Sequence, residues 1–190
     1  MSTACGILRL ARSDDALQLV EIYAPIVRET AISFETEAPD EAEMRQRIEK
    51  TLPVFPWLVE DRGGTIMGYA YASWHRERKA YQWSADVSCY VHRDARRQGV
   101  GKRLYRALLT VLARQGFHAA FAGIALPNAA SVALHEAVGF VQIGTYREVG
   151  YKAGAWRDTG WFQCLLGEAP AQPAPPRPLR ALGPRVLDDL

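Results

Sequence analysis

The chain has 190 residues, of which 48% are hydrophobic; this is enough for one domain with a substantial core and too little for two comfortable ones. A net charge of +2 is too mild for a dedicated nucleic-acid binder. Cys5, Cys89 and Cys164 show neither CxxC spacing nor a His/Cys ligand pattern, which argues against a disulfide framework and a metal site; with no apolar run of membrane-spanning length, the chain reads as cytoplasmic with no membrane partner.

Residues 7–10 read as a short strand, after which Ser13 is placed to cap a helix with Ala16, Leu17, Val20, Tyr23, Ala24 and Val27 on one face. A second helix follows Pro39, where Asp40 and Glu43 have capping-box spacing and Met44 and Ile48 form a narrow apolar stripe. Between the two helices, residues 30–37 form a loop in which Phe34 has no obvious partner. Apolar runs at 57–61 and 65–74 flank Arg62-Gly63-Gly64, a hairpin signal. From 81 to 91, odd positions carry Tyr81, Trp83, Ala85, Val87, Cys89 and Val91, and even positions carry Gln82, Ser84, Asp86, Ser88 and Tyr90. That alternation predicts a strand with one core face and one polar face.

Arg96-Arg97-Gln98-Gly99-Val100-Gly101 comes next and leads into a segment with Val100, Leu104, Ala107, Leu108, Val111 and Leu112 on one side, closed by Gly116. A helix that starts at these glycines points free N–H groups and the positive end of its dipole outward, which is an arrangement for an anion. The local excess of Arg93, Arg96, Arg97, Lys102, Arg103 and Arg106 suits one polyphosphate, with Arg103 and Arg106 read as a solvated helix face. A triphosphate loop would need glycine at 96 and serine or threonine at 103; a dinucleotide fingerprint would need glycine or alanine at 104. The chain has Arg96, Arg103 and Leu104, so neither applies.

A strand at 118–126 follows, then a helix opened by Pro127-Asn128 and ended by Gly139, then a closing hairpin at 141–149 and 160–166. This order predicts an α/β (α+β) fold: a mixed, mostly antiparallel central sheet with helices on both faces, spanning residues 1–167. Residues 168–190 hold 6 of the 11 prolines and read as an extended proline-rich C-terminal tail.

Arginine, two spacers, glycine, one spacer and glycine before a helix resembles the pyrophosphate-binding signature of the GNAT superfamily of N-acetyltransferases. The resemblance grows more specific along the chain. Ile32-Ser33-Phe34-Glu35-Thr36-Glu37, Pro56-Trp57-Leu58-Val59, Arg78 with Ala80-Tyr81 and Trp83, Tyr90-Val91, Leu126-Pro127-Asn128, Leu134-His135-Glu136-Ala137 and Gly150-Tyr151-Lys152 are similar to the phosphinothricin N-acetyltransferases within it. The implied activity is direct transfer of acetyl from acetyl-CoA, as co-substrate, to the α-amine of a small amino acid. Phosphinothricin, methionine sulfone and methionine sulfoximine are examples. An acetyltransferase for another amine, such as a protein N-terminus, and a non-catalytic acyl-CoA sensor stay open beside it.

The resemblance implies that the backbone of Cys89, Tyr90 and Val91 pairs with the pantetheine arm. Arg96, Arg97, Gln98, Gly99, Val100, Gly101 and Lys102 then form the diphosphate cradle, with the two glycines letting the backbone approach the ligand. Asn128 would meet the coenzyme further along; Phe34, Arg78, Lys79 and Tyr81 would recognise the amino acid, and a homodimer is implied. An alkyl amine with a pKa of about 10 needs a proton acceptor before it can attack. Asp86 and His135 are the expected catalytic residues, Asp86 relaying the amine proton and His135 orienting or donating, with Tyr90 and Tyr105 as further candidate acids. Asp86 stands where the resembling enzymes usually carry glutamate, so the carboxylate is drawn back by one methylene.

Overall fold

The computed structural model describes residues 6–183 and 186–188, so Cys5 lies outside the described residues. One sheet runs in the order β1-β2-β3-β4-β5-β7-β6. Its strands are β1 (Ile7–Leu10), β2 (Trp57–Arg62), β3 (Thr65–Trp74), β4 (Ser84–Val91), β5 (Ala119–Leu126), β6 (Val141–Lys152) and β7 (Ala155–Leu165). Every pairing is antiparallel except that of β4 with β5. The helices are α1 (Ala16–Glu29), α2 (Glu41–Thr51), α3 (Val100–Gln115) and α4 (Ala129–Glu136).

The twofold period of the strands divides the core into two layers. Leu58, Ala70, Ala85 and Val87 pack on one face with Leu104, Leu108 and Leu112 of α3. Trp57, Val59 and Tyr69 pack on the other with Leu19, Ile22 and Tyr23 of α1 and with Met44 and Ile48 of α2. All six residues of the expected α3 stripe are buried, and Asp40 caps α2 by accepting from the Glu43 amide at 2.8 Å.

Three expectations are corrected by tertiary contacts. Ser13 does not cap α1; residues Ser13–Asp15 form a 3₁₀ turn, and the Ser13 hydroxyl donates to Glu49 instead. Asp15 holds this entry, accepting from the Arg12 amide and from both Arg9 terminal nitrogens at 2.7 Å each, a charged pair that outweighs a neutral hydroxyl cap. The strand expected from residue 81 starts at Ser84, because Lys79–Tyr81 closes a 3₁₀ turn in which the Tyr81 amide donates to the Arg78 carbonyl. The closing hairpin is longer than expected, with β7 already formed at Ala155. β6 is exposed along nearly its whole length, so residues 150–159 carry no buried-face alternation that would mark them as strand.

Part of the proline-rich tail is fastened to the domain. The amides of Arg177 and Leu179 donate to the carbonyls of Gln115 and Val54, and the buried Gln115 side chain donates to the carbonyls of Val54 and Arg177. Leu179 and Val186 bury themselves against Val111 on the back of α3. Leu179→Ala is therefore expected to destabilise the domain by about 2 kcal/mol or more, which urea unfolding followed by tryptophan fluorescence would measure.

Candidate active site

The parallel contact between β4 and β5 lasts for three residue pairs, Ser84↔Ala119, Ala85↔Ala120 and Asp86↔Phe121. Beyond them the strands part, although β4 stays paired with β3 to Val91 and β5 stays paired with β7 to Leu126. The facing edges of residues 87–91 and 122–126 thus have no strand partner among the described residues. Main-chain N–H and C=O groups on such an edge need hydrogen-bond partners, and an extended ligand arm can supply them. The gap is a cleft lined by Ser88, Cys89 and Tyr90 on one wall and Ala122 to Ala125 on the other. Asn128 and His135 close it from α4, and Ile32 reaches it from the loop after α1.

At the outer end of β4 the chain turns into α3. Gly99 sits at the helix N-cap with φ +79°, and Arg97 also has positive φ, at 60°. No side chain caps the first turn of α3, which leaves its N–H groups available to an anion. Gly99 is thus required by backbone conformation. Gly101 has a packing role as well: a Cβ there would lie 2.9 Å from Leu134 Cδ2, so this glycine also lets α3 pack close to α4. Gln98 acts within the protein through its side chain, accepting from Arg62 and donating to the Asp94 carbonyl.

Arg103 is not the solvated residue its position suggested. Its guanidinium grips the fully buried Glu60 at 2.8 and 2.9 Å, and Arg62 binds the same carboxylate from the other side. Because Arg103 also donates to the Gln98 carbonyl, a buried ion cluster on β2 clamps the glycine turn. Arg96, with Val91, His92 and Arg93, lines a second groove against the C-terminal half of α1.

Asp86 lies where the two strands diverge, on the sheet face shared with Ser88 and Tyr90. Burial raises its pKa, with the neighbouring His75 opposing that shift. His75 was not singled out from the sequence, yet its Nδ1 is 2.6 Å from Asp86 Oδ1. Its ring stacks on Phe121 with centroids 4.3 Å apart. One residue past the end of β3, it carried no spacing signal. The same-face positions Tyr71, Ser73 and His75, with Ser73 paired to Asp86, would have been the only sequence clue.

His135 is buried at 4% exposure and is hydrogen-bonded at both ring nitrogens. Its Nδ1 donates to the Ser131 carbonyl at 2.7 Å, so Nε2 accepts, at 2.8 Å, from the Tyr105 hydroxyl. Burial lowers the His135 pKa and raises that of Tyr105 well above its usual value. Tyr90 is likewise pushed up by burial, packed edge-on against Tyr23. Both phenols therefore hold their protons more tightly than a free tyrosine, which weakens them as acids. Cys89, the sulfur nearest the cleft, is pushed up to about 12 by burial and is thus a protonated thiol rather than a nucleophile.

The expected amino-acid-binding residues do not line this cleft. Phe34 lies flat on Gly150, where no side chain would fit, while Lys152 Nζ donates to the carbonyls of Ser33 and Glu35 and ties the loop to the β6–β7 hairpin. Arg78, Lys79 and Tyr81 are exposed on the turn before β4; of these, Tyr81 approaches the Asp86–His75 pair, with its ring centroid 6.1 Å from that of His75.

A splayed parallel pair with an uncapped helix start at its mouth fits a long anionic thioester. Residues 8–161 match the acetyltransferase (GNAT) domain family. The chain belongs to the GNAT acetyltransferase family. Among GNAT proteins it is 37% identical over 173 residues to the phosphinothricin N-acetyltransferase of Streptomyces viridochromogenes, covering 91% of this chain and 92% of that one. It is 32% identical over 169 residues to the methionine sulfoximine and methionine sulfone acetyltransferase of Salmonella typhimurium, covering 88% and 98% of the two chains. The crystal structure of a GNAT superfamily phosphinothricin acetyltransferase from Sinorhizobium meliloti, in complex with acetyl-CoA, superposes with a TM-score of 0.85 at 36% identity, covering 90% and 94%. Acetyl-CoA is the co-substrate of GNAT enzymes, and the open β4 edge and the uncapped start of α3 fit its arm and its diphosphate. Among the described residues no cluster of His, Cys, Asp and Glu could hold a metal ion, and no helix is long and apolar enough to cross a membrane.

The buried His135 gives this GNAT domain an acid sensitivity of its own. Its folded-state pKa is depressed, so the unfolded chain binds the proton first, and stability present above the ordinary histidine value of about 6.5 is lost as pH falls through the folded value. Chemical denaturation between about pH 7 and 5 is expected to show this loss, and His135→Gln to flatten it.

Proposed function

We propose that this chain is an N-acetyltransferase that carries the acetyl group of acetyl-CoA to the α-amine of a small amino acid, with phosphinothricin, methionine sulfone and methionine sulfoximine as the first candidates. The observation that carries this reading is the cleft itself: an unpaired β4 edge runs from a half-buried carboxylate at Asp86 to an uncapped helix start at Gly99. The Streptomyces and Salmonella relatives, each matched over most of its length, support the substrate class.

Each group has a task set by its position. The backbone of Cys89, Tyr90 and Val91 receives the pantetheine arm, and the turn from Arg96 to Lys102 receives the diphosphate, with Asn128 meeting the coenzyme from the start of α4. Bound acetyl-CoA supplies an electrophilic thioester carbonyl. Asp86, at the apex, is the acidic group that serves the loss of a proton from the substrate ammonium. His135 serves from the α4 side of the cleft, neutral and hydrogen-bonded at both ring nitrogens, holding Tyr105 and the first turns of α4 in place. Arg78 and Lys79 provide positive charge for the acidic groups of the substrate, with Tyr81 beside them and Phe34 fixing the loop across the cleft. Attack occurs directly between the two substrates, since the nearest thiol, Cys89, is held protonated.

A homodimer belongs to the same reading. Tyr151, Trp156, Val141, Ile143 and Val149 stand exposed on the β6–β7 hairpin, with Tyr151 and Trp156 more than half accessible, and β6 is an edge strand. An apolar edge of this kind is normally covered. Light scattering is expected to give twice the chain mass, and Trp156→Glu to give monomer; a monomeric wild type would reject the dimer.

The activity test is release of free thiol from acetyl-CoA in the presence of each amino acid. Turnover is expected with at least one of the three, giving the N-acetyl product by mass spectrometry. Absence of turnover on all of them, with the coenzyme bound, would overturn the substrate assignment.

A further inference from the structure

Asp86 does not face the cleft with a free carboxylate. Ser73 and Asp86 are directly opposed across β3 and β4, and His75 lies two residues beyond Ser73 on the same face, so its ring reaches back over the carboxylate. Nδ1 meets Oδ1 at 2.6 Å, the length of a strong charge-assisted hydrogen bond. The ring also spans the last pair of the β4–β5 ladder, since it stacks on Phe121, the partner of Asp86. Trp161 of β7 stands edge-on to it at 6.0 Å between centroids, and Tyr81 closes the third side. Three aromatic rings and a carboxylate therefore fix the orientation of this imidazole, whose side chain is 12% exposed.

The tautomer follows from the pairing. With Asp86 ionised, Nδ1 must carry the hydrogen, which leaves Nε2 as an acceptor, and among the described residues Nε2 makes no hydrogen bond. The Trp161 ring, 6.0 Å away between centroids, carries an indole Nε1 that is a buried donor with no partner among the described residues, a second polar atom left for a ligand. The charged groups around the ring are Asp86 from β4 and Arg76 from its own segment, whose guanidinium lies over the Trp161 ring; β5 and β7 present the uncharged Phe121 and Trp161, and the turn before β4 presents Tyr81.

We propose that His75 is a catalytic residue of this chain, with Nε2 taking the proton from the substrate ammonium and Asp86 acting as the positioning residue that holds Nδ1–H. The proposal rests on the amine-acetylation reading above and names the atom that performs its first step. The chemistry favours it. An imidazole, with an ordinary pKa of about 6.5, is a far better match to an amine than a carboxylate of about 3.9, and a fixed carboxylate behind it stabilises the imidazolium once formed. The shorter reach of aspartate also ceases to matter, since the accepting atom lies across the ring from it. Protons and bonds balance: Nε2 takes one proton from R–NH₃⁺, and the free amine forms the C–N bond to the acetyl carbon. As the C–S bond breaks, the second amine proton leaves with the thiolate to give the free thiol, and imidazolium returns its proton to solvent.

The test combines a measurement on the resting protein with kinetics. NMR of ¹⁵N-histidine-labelled protein with coenzyme A bound is expected to show His75 as the Nδ1–H tautomer at high pH, with Nε2 taking up the proton on acidification. Asp86→Asn is expected to weaken the preference for the Nδ1–H tautomer. With a substrate amino acid, kcat is expected to fall on the acid side along the same titration, because a protonated Nε2 cannot accept. His75→Gln is expected to lower kcat about 100-fold or more and remove that limb while leaving KM for acetyl-CoA unchanged. An Nε2–H tautomer in the wild type would overturn the proposal whether or not any amino acid is turned over. So would His75→Gln protein that keeps its kcat and its acid limb while Asp86→Asn loses activity, which would make Asp86 the direct base. Failure of every amino acid as substrate, with the tautomer and titration as expected, would reject the substrate reading and leave His75 supported as the proton acceptor.

Discussion

The separation of β4 from β5 after Asp86 and Phe121 is the constraint on which the rest of the structure depends. A parallel pair held to its end would bury the edge of β4 and leave no opening; parted after three pairs, it creates two unpaired backbone edges that converge on one carboxylate. The outer pairings resist closure. β3 keeps β4 straight to Val91, and β7 keeps β5 to Leu126, so each wall of the cleft is anchored in its own half of the sheet. The free edges need hydrogen-bond partners from outside the sheet, which water or an extended ligand can supply.

The mouth of the cleft is held with comparable care. Glu60 is wholly buried on β2, where an uncompensated charge would cost several kcal/mol, and two arginines from different elements neutralise it. One of them, Arg103, belongs to the first turn of α3, so the buried charge orients the N-terminus of the helix as well as packing it. Gly101 adds a second restraint by letting Leu134 approach, which joins α3 to α4 and carries Asn128 and His135 into place. The basic, glycine-bearing turn is thus rigid on its protein side and open on the other.

Much of this was legible from residues alone where a local pattern reports a local structure. The α3 stripe, the Asp40 cap, the Arg62-Gly63-Gly64 hairpin and the polar face that carries Asp86 are each set by neighbours within a turn or a strand pair. The places that were misread share a different cause. Arg103 looked like a solvated helix residue because its partner lies 43 positions away, and the packing role of Gly101 went unseen because Leu134 cannot be seen from position 101. The strand content of 150–159 was invisible because an exposed hairpin has no buried face to impose alternation.

The sequence by itself determined the class of fold, the glycine-bearing helix start and the family, since periodicity, glycine placement and motif order survive in one dimension. Only the tertiary structure decided what stands beside Asp86. His75 and Asp86 are 11 residues apart with a 3₁₀ turn between them, and it is the antiparallel register of β3 on β4, with Phe121 and Trp161 packed against the ring, that brings Nδ1 within 2.6 Å of the carboxylate. A hydrogen bond of that kind depends on the angle between two side chains on different strands. Register and packing set that angle, and neither is written in the spacing of the residues.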